Sequence, residues 1–542
     1  MSLSRIRIKN GSILVAILLA IFLLVQVTVS IFFLNTWFDE ADYGYKAWLV
    51  GKGLAEPFMD FRLKHGPVAF YSQLLLQDIV GPSLIASRVF SVFFLLVSLV
   101  LIFLLIKRLS NKWFGLVAAA LVICNPFLVT LYSSAVPYSL TMFFSILTIW
   151  FIATDSGDDK NIRRAIILSG VMAGMAFLVR YNMFPLMVIL WLFVFWKWRS
   201  WKYFIYAVSS SIATVVILLV PFLLIDLQYT INQILFMFSA DPVILDVPKG
   251  SFTAGWQPLG SRISIIGSVL TRYFYMWVVL LAVIFLDIKN FVFKQKFFLS
   301  DSPILALSAS LAVVFFVSHF LYLPRETFAI YSLYLASFLV IFATLATYKT
   351  YEHIRSNLPE SFNLSGFSCL VIAVLLLTPI SIGSFSHIIG SISDPLNFED
   401  SDVSRVRKGA YFLASLTSTN DIILTVDDPH HVFLAGRYEI PPLINKYFTY
   451  KDIDDESMLQ RFDLYNDKMF LHWLEETATV VVFQRDGLDE RLNRISGSNK
   501  EMPKDFKRIL EEKFVLAGTI ESVYPRRYAQ DESVMDVYKK KK

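Results

Sequence analysis

Two acids stand side by side just after the first long apolar run, in the stretch "WFDEADYGYKAWLVGKG" at residues 37–53. A carboxylate held at a membrane–water boundary can take the proton of an attacking hydroxyl, so Asp39 and Glu40 are candidate catalytic residues. Solvated charge on a loop leaving the bilayer is the plainer alternative, because interfacial charge costs far less than charge at the bilayer centre. Context favours chemistry. Asp42, Tyr43 and Tyr45 follow, and "GKGLAEPFMDFRLKHGPVAFY" then places Lys64, His65 and a Gly66-Pro67 turn ahead of another aromatic stretch. Basic candidates at other helix ends are Arg88, Arg180 in "FLVRYNMFP" and Arg325 in "YLPRETFAIYSLY". Each can also be read as a side chain reaching toward lipid headgroups.

Those residues need elements to position them. Of 542 residues, 56% are hydrophobic and 17% charged, with a mean hydropathy of +0.58. That is the composition of a polytopic α-helical membrane protein. Apolar runs near the length that crosses about 30 Å of hydrocarbon predict eleven transmembrane helices, at roughly 13–34, 84–106, 114–132, 138–153, 165–179, 184–196, 203–225, 264–286, 303–323, 330–347 and 367–389. Lys and Arg cluster in alternate connections, from Arg5, Arg7 and Lys9 through "KRLSNK", "KNIRR", "KWRSWK" and "KNFVFKQK" to "YKTYEHIR". The positive-inside rule then makes the amino terminus cytoplasmic, and an odd helix count puts the carboxy-terminal part outside. Arg180 and Arg325 fall on the side where positive charge is otherwise scarce. Topology accounts for the net charge of +5, so nucleic acid is not an expected partner. The first run is too long for a usual signal core and lacks a small-residue cleavage pattern, which marks it as a retained anchor.

Two external connections, 35–83 and 226–262, are too long to be turns. Their aromatic residues, Trp37, Trp48, Phe58, Phe61, Tyr71 and Trp256, predict helices lying along the membrane surface. No internal repeat is visible, which argues against a transporter of inverted halves. The membrane part covers residues 1–393. From residue 394 to 542 the sequence becomes charged and alternates helix-like with strand-like stretches, predicting a soluble α/β domain with a partly parallel sheet. No glycine-rich loop opens its helices, so a nucleotide site there is not expected. Cys124 and Cys369 both fall in apolar segments, which leaves that domain without a disulfide or thiolate metal site. Its "DDPHHVFLAGRYEIPPLINKYFTY" contains Arg437, which either reaches down to an anion or belongs to a loop ordered by Pro441-Pro442. Adjacent His430 and His431 would face opposite ways in an extended segment, so they are read as structural or surface residues rather than metal ligands.

The acidic pair after the first membrane helix, followed by the basic, Gly/Pro and aromatic stretch at 64–71, resembles the family of dolichyl-phosphate-mannose protein mannosyltransferases and aminoarabinose lipid A transferases, within the C-type (GT-C) membrane glycosyltransferases. The "GRYEIPP" segment at Arg437 is similar to a Gly-Arg-x-x-Pro-Pro segment of relatives and adds to the likeness. The resemblance implies a polyprenyl-phosphate sugar as donor and transfer on the external face of the membrane. It carries the role of catalytic base to Asp39, with Glu40 as its neighbour. Lys64 and His65 become candidates for the donor phosphate, although this chain has "KHGP" where many relatives have "KPP". Arg88, Arg180, Arg325 and Arg437 are nominated for the same anion.

The chemistry is self-consistent. One base deprotonates the acceptor as it attacks the anomeric carbon, and cations stabilise the departing phosphate, so single displacement with inversion needs no second carboxylate. No metal is required; a divalent ion at Asp39/Glu40 would need Glu56, Asp60, Asp241 or Asp246 to complete its cage. The acceptor is protein, lipid or glycan, the carrier dolichyl or undecaprenyl, and the compartment a plasma membrane. The rivals are a flippase for lipid-linked saccharides, which the scarcity of charge inside the apolar runs disfavours, and a non-catalytic scaffold.

Overall fold

The computed structural model describes residues 11–33, 36, 38–56, 66–153, 157–225, 302–322, 333–357, 401–445, 450, 454–461, 464–496, 501–521, 523–524 and 533–541, with a few isolated positions between 227 and 281. Among them, six helices are long and apolar enough to cross a membrane, or seven if one bent pair counts as a single span. The predicted spans at 264–286 and 367–389, and the 393/394 boundary, lie outside or almost outside the described residues.

The first helix, α1 (Gly11–Phe32), exposes one apolar side after another, as a lipid-facing helix does. The region predicted as one helix over 114–132 is instead two, α5 (Lys112–Ile123) and α6 (Pro126–Ser133), bent by 72°. Pro126 has no N–H to continue the ladder and starts a new helix, with the Asn125 side chain accepting from Leu128 N at 3.4 Å. Beyond it come α7 (Tyr138–Ala153), α8 (Asp159–Val179), α9 (Phe184–Trp198), α10 (Trp201–Ile225), α11 (Pro303–Tyr322) and α12 (Leu333–Asn357). Their buried faces merge into one large apolar core.

Between α1 and α4 (Leu84–Leu109) lie the two helices of the first long connection, α2 (Phe38–Gly51) and α3 (Pro67–Val80). Helices were predicted here, both along the membrane surface. On α3, Leu75, Ile79 and Val80 are exposed apolar residues on a helix whose other side is buried. For α2 the structure differs. Residues 40–49 are buried on every side, Trp48 included, because the C-terminal domain covers the face that the bundle leaves open. A short helix, His430–Leu434, lays Phe433 against Gly44, where an added Cβ would lie 2.8 Å from the ring.

That domain carries a five-stranded sheet of order β2-β1-β3-β5-β4. Strands β1 (Ile422–Thr425), β2 (Tyr438–Glu439) and β3 (Val480–Gln484) run parallel, while β4 (Phe514–Glu521) and β5 (Val534–Lys540) are antiparallel additions. The partly parallel α/β layer is thus as the alternation predicts. The helix holding His430 and His431 was not; the two histidines are helical rather than extended, and both are buried, which fits the structural rather than the surface reading. His431 Nε2 lies 3.0 Å from the Val523 carbonyl, and burial lowers its pKa.

One phenol bonds in both directions across the two parts, which the Thr36 N–H also joins by donating to Asp402 at 3.2 Å. Tyr45, fully buried on α2, donates to the Arg437 carbonyl at 2.8 Å and accepts from Glu439 N at 2.6 Å. Burial pushes its pKa well up, so it remains a protonated donor. Tyr45→Phe strands both backbone groups, and each buried unpaired group costs about 1–3 kcal/mol. The variant is expected to show a lower thermal midpoint and faster proteolysis within 401–445, read by scanning fluorimetry and timed digestion; unchanged digestion would mean the phenol does not hold the domain.

Candidate active site

Asp39 and Glu40 form the first turn of α2, where negative charge meets the positive end of the helix dipole. Adjacent helical residues point about 100° apart. They therefore part company: Glu40 is completely buried and Asp39 stays partly exposed. The Glu40 carboxylate grips Arg88 of α4 through both oxygens, at 2.9 Å from Nε and 2.7 Å from Nη2, and also accepts from Ala135 N at 2.8 Å. Arg88 Nη1 turns to the Ser30 and Ile31 carbonyls, each 3.1 Å away, at the last turn of α1. Helix C-termini leave such carbonyls open and favour a cation there. One fully buried pair therefore ties α1, α2, α4 and the α6–α7 connection to one point.

This geometry gives Arg88 a different occupation from the phosphate contact assigned to it. It is fully buried with four hydrogen bonds to protein, which makes it a positioning residue. Arg437 is likewise engaged. Its guanidinium donates to Thr417 Oγ1 and to the carbonyls of Ala414, Thr417, Ala435 and Gly436. It closes the end of the helix Asp402–Leu416 instead of reaching the membrane part, so the loop-ordering alternative describes it. Glu40 sits next to Asp39 as expected, but as the anchor of α2.

Arg180 ends α8, its N–H closing on the Ala176 carbonyl at 3.0 Å. It is nearly buried, with its guanidinium 4.3 Å from the centre of the Tyr138 ring and 5.5 Å from that of Tyr334. Such stacking fixes the orientation of a planar cation. Two residues earlier, the Leu178 carbonyl meets Gly66 so closely that a Cβ would lie 2.0 Å from the oxygen. The end of α8 and the start of α3 can touch only because residue 66 has no side chain. Lys64, His65 and Arg325, with Asp60, Asp241 and Asp246 of the conceivable metal cage, lie outside the described residues; Glu56 is exposed.

Several neighbours were not anticipated. Lys46 pairs with Asp42 at 2.7 Å inside α2, with both side chains almost wholly buried. Their i,i+4 spacing is legible in "DYGYK" but says nothing of burial. Tyr138 and Tyr334 are too distant in sequence from Arg180 for spacing to join them. Tyr132 OH, donating to the Leu333 carbonyl at 2.8 Å, holds the start of α12 beside them.

Comparison with known structures follows the same outline. ArnT from Cupriavidus metallidurans bound to undecaprenyl phosphate superposes with a TM-score of 0.57 at 11% identity, covering 98% of this chain and 98% of that one. The oligosaccharyltransferase of Archaeoglobus fulgidus in its apo form gives 0.55 at 12% identity, over 92% of this chain and 72% of its own. The same enzyme, AglB, in complex with an inhibitory peptide and a dolichol-phosphate gives 0.51 at 12% identity, over 90% and 72%. The chain shares the fold of these two enzymes. More particularly, residues 64–225, from Lys64 through α10, match the family described as dolichyl-phosphate-mannose-protein mannosyltransferase. No curated protein matches the chain by sequence.

Removing one member of a buried pair costs about 3–5 kcal/mol, since the partner keeps an uncompensated charge. Arg88→Met is therefore expected to lower the thermal midpoint sharply, whereas Asp39→Asn, at a partly exposed position, leaves it nearly unchanged. Thermal unfolding of both variants in detergent checks the contrast; equal midpoints would remove Arg88 from its anchoring role.

Proposed function

We propose that this protein transfers a sugar from a polyprenyl-phosphate carrier to an acceptor hydroxyl on the external face of a plasma membrane, with Asp39 as general base and inversion at the anomeric carbon. The observation that carries this reading is the division of labour in the acidic pair. Glu40 is locked to Arg88, and that lock presents Asp39 at the partly exposed head of α2. In the reaction, the acceptor oxygen bonds to the anomeric carbon and its proton passes to Asp39. The bond from that carbon to the phosphate oxygen breaks, and the electron pair leaves with polyprenyl phosphate.

The leaving phosphate gains charge, so a preorganised cation beside it lowers the barrier. Arg180, braced by two tyrosine rings, is assigned that place. Its turn abuts Gly66, two residues after Lys64, and Lys64, His65 and Arg325 complete the cationic side of the proposal. The neighbours whose structures were determined with undecaprenyl phosphate or dolichol-phosphate support a lipid-borne donor; the sugar is taken to be a hexose. The amino terminus is placed in the cytoplasm and residues 394–542 outside, following the basic clusters. One carboxylate and a cationic cradle suffice, so no metal is required.

The test is release of polyprenyl phosphate in proteoliposomes given a panel of polyprenyl-phosphate sugars and an envelope extract. A positioned base contributes about 10²–10⁴-fold, and Asp39→Asn should lower release by that factor while the protein stays folded. Undiminished release would sink the assignment of the base. A chelator is expected to leave the wild-type rate unchanged; loss of release, restored by one divalent ion, would replace the metal-free mechanism.

A further inference from the structure

A groove in the C-terminal domain lies outside everything assigned above. It encloses about 460 Å³ between β3, β5 and the helix Met502–Lys513. The floor is aromatic and apolar, with Tyr538 stacked on Phe483 at 5.5 Å and 14° between planes, beside Leu510 and Phe514. The rim is polar and planar. Arg485 pairs with Asp536 at 2.7 Å, Lys507 pairs with Asp489 at 2.7 Å, and Glu511 joins them.

This combination selects among ligands. Two cations and three carboxylates leave the lining at a net charge of −1, with both cations already facing acids, so a polyanion gains nothing there. A peptide side chain would use the apolar floor and leave most of the rim unpaired. A pyranose ring uses both. Its C–H face lies on an aromatic surface, and its hydroxyls bridge carboxylates and guanidinium edges, which accept and donate in pairs. We propose that this groove binds a neutral oligosaccharide segment.

The topology says where such a ligand would stand. Because β1 and β3 are parallel, Arg485, Gly487 and Asp489 after β3 lie at the same end of the sheet as His430–Leu434 after β1. That second segment packs on α2. The floor of the groove, Phe483 and Tyr538, belongs to the opposite face of the sheet from Val480, Val482 and Val537, which join the core that Tyr45 and Phe433 share, so the groove is turned away from α2. The binding is a property of the C-terminal domain and does not rest on the transferase reading.

Binding is measured directly, on the full chain in nanodiscs, by saturation-transfer-difference NMR with mannotriose, maltotriose, triacetylchitotriose and, as the anionic control, trigalacturonate. The expected result is saturable binding of at least one neutral trisaccharide, equal in wild type and Asp39→Asn. Tyr538→Leu should weaken it about tenfold, the order of one lost aromatic stacking contact. Since Tyr538 also packs on Phe483, the exposed rim variant Glu511→Gln provides a second arm, with weaker binding at an unchanged thermal midpoint. Absence of saturable binding by all three neutral probes, preference for trigalacturonate, or full affinity in both variants overturns the proposal. Binding without any transfer by wild type would retain the groove and remove only the transferase reading.

Discussion

Glu40 and Arg88 hold opposite charges in a place with no water, and the surrounding structure is arranged around meeting their needs. An isolated charge there is prohibitive, and even a pair is sustained only when its remaining donors and acceptors find partners. Here they find them in three other elements. Ala135 N satisfies the carboxylate, and the open carbonyls of α1 satisfy the guanidinium. The lateral position of α2, its rotation about its own axis and the end of α1 are therefore coupled. Rotating α2 enough to bury Asp39 instead would break both oxygens of Glu40 from Arg88. A buried pair of this kind adds little net stability compared with apolar residues of the same shape, but it permits one arrangement only.

That arrangement creates a second demand. A helix bearing Asp42, Lys46, Tyr43 and Tyr45 in its middle is a poor lipid-facing element and a poor free-standing one, since isolated helices of this length are marginal in water. The C-terminal domain resolves the difficulty by covering it. Tyr45 supplies a hydrogen bond in each direction and Phe433 fills the space over Gly44. Arg437, tied to the end of the helix Asp402–Leu416, keeps the carbonyl that Tyr45 reaches in place. The domain thus shapes the head of α2 through contacts made some 390 residues later in the chain.

Periodicity and length made most of this architecture legible. Apolar runs located α1, α4, α7, α9 and α10 to within a few residues, because a span in lipid must satisfy its own backbone and so announces itself by composition. The break at Asn125-Pro126 was equally open to local reading, yet continuous hydropathy across it suggested one helix. β5 escaped for a different reason. "VMDVYKKKK" looks like a charged tail, and the Arg485 guanidinium that donates to Asp536, with the Thr519 hydroxyl beside it, makes an acid tolerable in a strand whose Met535 and Val537 are fully buried. Tertiary compensation of that sort leaves no trace in local spacing.

The same limit explains the site. Composition and order drew attention to Asp39-Glu40 and to the arginines, but an arginine's identity does not reveal whether its N–H groups are committed. Arg88 and Arg437 donate to carboxylate, hydroxyl and carbonyl oxygens, while Arg180 stacks on the faces of two tyrosine rings. Three arginines of one nominal class thereby divide by surroundings that spacing does not show. Two adjacent acids divide in the same way, and the helix is what divides them. With about 100° between successive side chains, a neighbouring pair at a helix head cannot face one environment, so one acid can anchor the helix in the bundle while the other looks out from it. A strand would also turn the two apart, but with no positive helix end to favour both charges.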